Sequence, residues 1–541
     1  MKTMLIFLLW SLNMASLFAQ NPISNVWVAD LGDGSYKNPI LYADYSDPDV
    51  CRVGDDFYMT ASSFNCIPGL PILHSKDLVN WTIIGHAINK MPDHANSKQV
   101  MNHGGSVWAP SIRYHKGEFY IYYGDPDLGV FMTKTKDPAG EWEPLVLVKE
   151  GKGLIDACPL FDEDGQVYLA HAYAGSRAGI KSLLAVTRLT PDGKKAVGES
   201  QIIYDGHDAD PTIEGPKFYK KNKYYYIFAP AGGVSTGWQT VLRSKSITGP
   251  YERKVVMDQG KTTINGPHQG GWVDTQTGED WFIHFQDVGA LGRIVHLQPM
   301  AWKNDWPVIG EDKKGDGCGQ PVLTYKKPNV GKTYPTTTPV ESDEFNHNTL
   351  GFQWQWHANP MSWWYFANQE KGHLSLYSVP QPDDCKNLWD VPNLLLQKMP
   401  SPDFVVTMKL TFIPDKGIMG EHTGLLIMGR DYSLLSFESK GDRFTLSQID
   451  CYGADRGKQE VINQTVEIKK AEIYLRAQIK EGATCSFSYS LNNKNFTPLG
   501  KSFTLKEGQW IGSKMGMFCS RPIHKNDGGR ADIDWFRVEK K

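Results

Sequence analysis

The sequence predicts an all-β protein with an N-terminal five-bladed β-propeller followed by a C-terminal β-sandwich. Five similar hairpins recur along the first part of the chain, and a linker separates them from strands of a different pattern. Aromatic residues, which strands favour, make up 12% of the chain. No amphipathic helical stretch of useful length interrupts the strands, so we expect little helix.

The propeller prediction depends on a repeated unit that consists of a short strand, a polar turn and a strand rich in aromatic residues. Successive copies are separated by about 50–60 residues, which is a spacing typical of repeat architectures. Further strands between the copies indicate four strands for each blade. The five copies span residues 49–62, 111–124, 159–172, 217–230 and 271–286.

Composition divides the chain into four segments. Residues 1–20 carry one early lysine, a short apolar run and then small residues, which indicates a secretory signal peptide rather than a membrane span. Residues 21–325 hold the propeller, and residues 326–341, rich in Pro, Thr and Lys, form a linker. Residues 342–541 hold the sandwich. We therefore expect an exported protein, periplasmic or secreted, without a membrane span.

Bulk composition excludes several classes of partner. The formal charge of −3 gives no basic excess, so nothing indicates binding to nucleic acid or to an anionic membrane surface. The 8 cysteines are scattered without the spacing of a zinc site, and free buried cysteines are expected. The sequence does not predict an oligomeric state.

One distinctive residue occupies the same place in each hairpin, six or seven positions before the turn. Because the first strand of each blade runs beside the central channel, these side chains are predicted to converge there. Three of them are carboxylates, which raise each other's pKa in a small cavity, a cost that a structural core avoids. Acid–base catalysis can use such a trio, with one group as base and another kept protonated. The five residues are Asp47, Trp108, Asp156, Glu214 and His268.

Four ordered motifs together resemble glycoside hydrolase family 43. They are NPILYADYSDPDVCRVGDDFYM, SVWAPSIRY, LIDACPLFDEDGQVYLA and IEGPKFYKKNKYYYIF. The resemblance covers about residues 35–325, and DEFNHNTLGFQWQWHANP resembles the accessory domain of the family's xylosidases and arabinofuranosidases. It implies a five-bladed propeller that acts on arabinose- and xylose-containing polysaccharides and requires no cofactor.

The resemblance also implies catalytic roles. Asp47 would be the general base that activates water, Glu214 the general acid, and Asp156 the residue that holds and tunes that acid. The family inverts the anomeric configuration, which requires acid and base to stand about 6.5–9.5 Å apart. Asp44 and Asp49 are expected only to shape the loop, and the proline after Asp47 to hold that residue in extended backbone.

Four further residues are candidates for binding sugar, each with a structural alternative. Trp108 is predicted to stack against the sugar, and a buried core tryptophan is the alternative. Phe64 is predicted to form the floor of the sugar pocket, and packing against neighbouring side chains is the alternative. Arg293 resembles an arginine that reaches the sugar or the acid, and a surface arginine is the alternative. His268 resembles a central histidine that ligates calcium or its waters in some relatives, and a satisfied channel histidine is the alternative. No other metal site is predicted, and HDAD (207–210) is expected to be a solvated loop.

The leading functional hypothesis is an exo-acting, inverting α-L-arabinofuranosidase that acts on side chains of xyloglucan or arabinoxylan. A β-D-xylosidase acting on xylo-oligosaccharides is the first alternative, because both activities use the same trio. A retaining fructosidase is a weaker one, since its NDPNG-type nucleophile motif is replaced here by SDPDV. A non-catalytic glycan-binding protein on the same scaffold is the third, and the complete trio argues against it.

Overall fold

The computed structural model describes residues 22–92 and 101–541, so the predicted signal peptide lies outside the described residues. Regular structure in this part is almost entirely strand, which confirms the all-β prediction. The helical elements here are one short α-helix and three 3₁₀ turns, Gly175–Ala178, Gly289–Leu291, Leu388–Asp390 and Ala454–Arg456. None of these described helices is long and apolar enough to cross a membrane.

Five four-stranded antiparallel sheets form the blades of the propeller, and a short strand, β1 (Ser35–Lys37), precedes them. Blade one holds β2 (Asp49–Val53), β3 (Asp56–Thr60), β4 (Gly69–Ser75) and β5 (Trp81–Ile88). Blade two holds β6 (Trp108–His115), β7 (Glu118–Asp125), β8 (Gly129–Thr135) and β9 (Val146–Glu150). Blade three holds β10 (Leu154–Phe161), β11 (Val167–Tyr173), β12 (Leu183–Leu189) and β13 (Ala196–Asp205).

The remaining blades follow the same order from the channel outward. Blade four holds β14 (Lys217–Lys221), β15 (Tyr224–Ala231), β16 (Trp238–Ser244) and β17 (Glu252–Met257). Blade five holds β18 (His268–Asp274), β19 (Asp280–Asp287), β20 (Arg293–Lys303) and β21 (Trp306–Ile309), and β22 (Thr324–Lys326) follows it. Buried apolar side chains fill the spaces between neighbouring blades, so the propeller core is a ring of contacts between sheets.

The N-terminal segment closes the ring by binding to blade five. Leu41 and Val295 exchange backbone hydrogen bonds of 3.0 and 3.4 Å. The Asn38 side chain accepts from the Leu297 amide and donates to its carbonyl, and the Tyr36 hydroxyl donates to the same carbonyl. Because β1 also pairs with β22, both ends of the propeller segment are held on the same side of the ring.

The C-terminal domain is a sandwich of two mainly antiparallel sheets. The strands are β23 (Gln355–Trp356), β24 (Tyr365–Asn368), β25 (His373–Tyr377), β26 (Val379–Pro380), β27 (Leu395–Lys398), β28 (Phe404–Ile413), β29 (His422–Met428), β30 (Tyr432–Ser439), β31 (Phe444–Cys451), β32 (Val461–Ile468), β33 (Glu472–Lys480), β34 (Thr484–Ser490), β35 (Thr497–Thr504), β36 (Lys514–Arg521) and β37 (Arg530–Glu539). One sheet has the order β23-β27-β36-β29-β30-β31-β32, with β26 paired in parallel to β36, and the other has the order β24-β25-β37-β28-β33-β34-β35.

Alternation along the strands builds the sandwich core, since successive side chains of a strand point to opposite faces. On β28 the residues at every second position are buried in the shared apolar cluster between the two sheets. Leu291 of the propeller is part of the same cluster. The hydrophobic interior therefore continues from the sandwich into the neighbouring domain.

Polar contacts fix the sandwich against blade one of the propeller. Ile67 and Trp356 exchange backbone hydrogen bonds, and the Asn65 amide donates to the His357 carbonyl at 2.8 Å. The buried Lys514 ammonium lies 2.9 Å from the Cys66 sulfur. The described cysteines, this one included, are free. The two domains thus share an interface of specific geometry rather than a loose contact.

We predict that Trp356→Ala destabilises the whole chain, because this buried tryptophan packs in the sandwich core and sits at the domain contact. Removing a buried tryptophan costs about 3–5 kcal/mol. Differential scanning calorimetry should show a clearly lower transition temperature. Trp363→Ala is the matched control, because Trp363 is 53% exposed and its loss should shift the transition little. Equal shifts for both variants would contradict the prediction.

Candidate active site

The residues at the blade starts meet around one pocket of about 240 Å³ at the mouth of the channel. The pocket is lined by Asp47, Phe64, Trp108, Ala109, Ile155, Asp156, Thr212, Glu214, Gly233, Val234, Gln269, Arg293 and Trp510. Four of the five predicted channel residues are therefore in the lining. The fifth, His268, lies behind Glu214 and is fully buried.

Asp47 is buried at the pocket wall and accepts several hydrogen bonds. The Ser62 hydroxyl donates to it at 2.6 Å and the Ser46 hydroxyl at 2.7 Å. The Arg293 guanidinium lies 3.3 Å from the same carboxylate and also donates to Ser46 at 2.8 Å. These contacts fix the position of the Asp47 carboxylate at the pocket wall.

The expectation of extended backbone at Asp47 is wrong, because its φ is +54°. A following proline disfavours the right-handed helical region, and here the chain occupies the left-handed region instead of the extended one. Asp156 has nearly the same conformation, with φ of +58°. Strained non-glycine residues of this kind cluster at functional sites, where surrounding contacts hold them in place.

Asp156 and Glu214 form the second part of the carboxylate trio. Burial, together with the nearby charges of Glu214 and Asp47, raises the pKa of Asp156 to about 8. The amide of Gly215 donates to Asp156 at 2.8 Å and opposes this effect in part. The Glu214 side chain is the more accessible of the two, at 26% exposed. The site can therefore keep one proton at neutral pH beside a carboxyl that faces the pocket.

The loop before Glu214 is held by a buried aspartate. Asp210 is fully buried and accepts two bonds from the Arg253 guanidinium, as well as bonds from Tyr204, Trp238 and Thr240. The expectation that HDAD (207–210) is a solvated loop is therefore wrong for Asp210, although His207 and Asp208 are exposed. This network fixes the course of the chain just ahead of the candidate acid.

His268 supports Glu214 from behind. Its Nε2 lies 2.8 Å from a Glu214 carboxylate oxygen, and its buried Nδ1 has no protein partner among the described residues. Within residues 22–92 and 101–541, no three His, Cys, Asp or Glu side chains converge into a metal-binding group. Calcium takes six to eight oxygen ligands, so these protein groups alone do not fit it. A calcium ion near His268 stays a prediction.

Two aromatic side chains and one cation complete the propeller side of the pocket. Trp108 is partly exposed, and its indole N–H donates to the Gly104 carbonyl at 2.7 Å. Phe64 lies edge-on to Trp108, with 6.4 Å between ring centroids. Arg293 is buried rather than on the surface, and its guanidinium lies over the Phe285 ring. Both aromatic side chains therefore line the pocket, and the cation lies 3.3 Å from Asp47.

Trp510 is a pocket residue that the sequence analysis missed. It belongs to the sandwich, lies 6.1 Å from the Trp108 ring, and has φ of +64°. Asp44 holds its loop, because this carboxylate accepts from the Gly512 amide and from the Arg293 amide. No local sequence pattern marks Trp510, since its position depends on how two distant domains pack.

Asp49 stays outside the pocket, in agreement with its expected role of shaping the loop. It is fully buried and accepts from the Ile112 amide at 2.9 Å and from the Arg113 guanidinium at 2.6 Å. It therefore ties blade one to blade two. Of the two aspartates that flank the proline, only Asp47 faces the pocket.

Comparison with known proteins agrees with this architecture. The family model described as "Glycosyl hydrolases family 43" matches residues 36–307. The model described as "Beta xylosidase C-terminal Concanavalin A-like domain" matches residues 342–539. A putative β-xylosidase of Xylanibacter ruminicola is 37% identical, over 90% of this chain and 86% of its own. A non-reducing end α-L-arabinofuranosidase of Bacteroides ovatus is 29% identical, over 94% and 96%. A crystal structure of a family 43 protein from Bacillus licheniformis superposes with a TM-score of 0.80 at 25% identity, over 94% and 100%.

We predict that Asp156 makes the fold less stable as pH rises. With a pKa of about 8 in the folded chain and about 3.9 in the unfolded chain, the folded state holds an extra proton between these values. Its stability therefore falls across that interval, by about 1.4 kcal/mol per pH unit at most. Asp156→Asn cannot titrate and should avoid this loss.

The measurement is the melting temperature of both proteins at pH 5 and pH 8. The melting temperature of Asp156→Asn should increase relative to that of the wild type between pH 5 and pH 8. The melting temperature of Asp208→Asn, changed at an exposed position, should vary with pH as that of the wild type does. A constant difference between Asp156→Asn and the wild type would mean that Asp156 does not hold the proton.

Proposed function

The chain belongs to glycoside hydrolase family 43, and we propose that it is an exo-acting, inverting hydrolase that releases a terminal pentose from plant hemicellulose. The observation that carries the proposal is the convergence of Asp47, Asp156 and Glu214, from three different blades, on one small pocket. Their environments differ, and carboxyl groups with different environments can serve as acid and base at the same pH.

In the proposed reaction, Asp47 removes a proton from a water molecule as the water oxygen attacks the anomeric carbon. Glu214 donates a proton to the glycosidic oxygen as the bond to the leaving group breaks. Asp156 lies beside Glu214 and, with its raised pKa, holds a proton next to that acid at neutral pH. Asp47 and Glu214 belong to blades one and four, which are not neighbours in the ring, and this leaves room for sugar and water between them.

The size of the pocket supports attack at a chain end. Its volume of about 240 Å³ lies below the 300–1,000 Å³ typical of larger ligand sites. Trp108 and Phe64 of the propeller line one side of the pocket, and Trp510 of the sandwich lines the other. A terminal sugar fits such an enclosure better than the middle of a polymer does. We propose release of single sugars on this basis.

The proposed sugar is α-L-arabinofuranose, the sugar favoured by the sequence and also the one in the name of the Bacteroides ovatus relative. The second candidate is β-D-xylose, which is favoured by the name of the Xylanibacter ruminicola relative. Side chains of xyloglucan or arabinoxylan are the proposed source. We also propose that the protein is exported, on the pattern of residues 1–20, since these polymers lie outside the cell.

We predict a higher kcat/KM on 4-nitrophenyl α-L-arabinofuranoside than on 4-nitrophenyl β-D-xyloside. Both aglycones are the same, so the ratio reports only the fit of the sugar to the pocket. Proton NMR of the same reactions should show the inverted anomer first. A clearly higher kcat/KM on the xyloside would replace the first candidate with the second, and a retained anomer would contradict the proposed mechanism for both.

We predict that Glu214→Gln lowers kcat most for substrates with poor leaving groups. A nitrophenolate departs without protonation, whereas a sugar alcohol needs the acid, so kcat should fall far more on oligosaccharides than on the nitrophenyl glycoside. General acid catalysis contributes about 10²–10⁴-fold. Glu252→Gln, at an exposed outer-strand glutamate, is the control and should change neither rate. Equal losses on both substrates would remove Glu214 from the role of acid.

A further inference from the structure

A second depression, of about 630 Å³, lies on the sandwich and shares no lining residue with the active-site pocket. Its volume is within the range of ligand sites in proteins. Three chain segments form it, at residues 362–366, 377–378 and 521–529. Neither the proposed reaction nor the packing of the sandwich against the propeller uses this surface.

Three aromatic side chains give the depression its character. Trp363 is 53% exposed, Phe366 48% and Tyr377 37%. An exposed apolar patch rimmed by polar groups marks a binding surface. Phe366 and Tyr377 belong to β24 and β25, which pair at the edge of one sheet. We call these three residues the aromatic platform.

The loop beside the aromatic platform is held in one shape. The Arg521 guanidinium is largely buried and donates to the carbonyls of Ser378, Ile523 and Lys525. The Gly529 amide donates to the buried Glu421 carboxylate at 2.7 Å. Ordering a loop before a ligand arrives reduces the entropy cost of binding. This surface is therefore preorganised.

The chemistry of the surface combines flat apolar faces with polar edges. Asn526 and Asp527 lie in the fixed loop beside the aromatic platform and are exposed. A sugar ring has the matching arrangement, with C–H groups on its face and hydroxyls around its rim. Xylose in its six-membered pyranose form carries no exocyclic hydroxymethyl group, so its faces stack without obstruction. Asp527 disfavours an acidic sugar.

We propose that the aromatic platform binds a neutral chain of xylose rings, the backbone of arabinoxylan, whose arabinose side chains enter the active site. This inference rests on the proposed function for the identity of the polymer. Holding the backbone at a second site raises the effective concentration of chain ends near the pocket. The expected benefit is confined to polymeric substrate, because a nitrophenyl glycoside is too short to occupy both sites.

The test compares Trp363→Ala/Tyr377→Ala with the wild type. Tyr452→Ala is the matched control, because Tyr452 is equally exposed but follows β31 of the other sheet. Affinity for soluble arabinoxylan is measured by affinity electrophoresis, with free xylose and arabinose present to occupy the active-site pocket. The double variant should bind at least tenfold more weakly, and the control should bind as the wild type does. Melting temperatures check that both variants fold.

Activity on the nitrophenyl pentosides separates this proposal from the proposed function. The double variant should keep the wild-type kcat/KM there and lose rate only on arabinoxylan. If the wild type hydrolyses neither pentoside, the proposed function fails. The binding measurement still shows whether the aromatic platform binds the polymer. Unchanged polymer affinity in the double variant overturns the proposal.

Exposed Met361 and Ile523 extend the apolar surface, so a second copy of the chain is the competing occupant. Light scattering that shows a wild-type dimer dissociated by the double substitution, with polymer affinity unchanged, also overturns it.

Discussion

Three carboxylates share one small and largely buried pocket, and the repulsion between their charges governs the structure around them. Asp47 is held by hydroxyl donors and a guanidinium. Asp156 lies deeper, where burial and the neighbouring charges favour a proton. Glu214 lies between a histidine and the open pocket. The repulsion is thus resolved by giving each group a different environment, and that difference is what acid–base catalysis requires.

The propeller and the sandwich depend on each other at this pocket. Asp44 joins them, because its carboxylate binds the amide of Arg293 on one side and that of Gly512 on the other. Gly512 packs so closely that an added Cβ would lie 2.7 Å from the Gly292 amide. Arg293 contacts Asp47, and the Gly512 loop carries Trp510. The domain interface therefore sets both the charge and the shape of the pocket, and the sandwich contributes directly to the enclosure.

Much of this arrangement follows from the sequence, because a repeat turns sequence position into spatial position. Equivalent places in five hairpins must meet at one axis, so the trio was predictable from its offset from the turns. Trp510 was not, since its place depends on packing between domains. The burial of Asp210 was hidden because its partners Arg253 and Trp238 come from other strands. The left-handed backbone at Asp47 was also missed, because proline excludes one region of conformation and leaves two.

The titration of the pocket carboxyls tests the central claim most directly. Carbon-13 NMR of side-chain carboxyl groups, followed against pH in the wild type and in Asp156→Asn, reports each group in the folded protein. A shared buried pocket predicts one carboxyl that titrates near pH 8 in the wild type and is absent from the variant. If no wild-type carboxyl signal that is lost in Asp156→Asn titrates above about pH 5, near the ordinary values for Asp and Glu, the pocket does not hold a proton at neutral pH. The division of roles within the trio would then be contradicted.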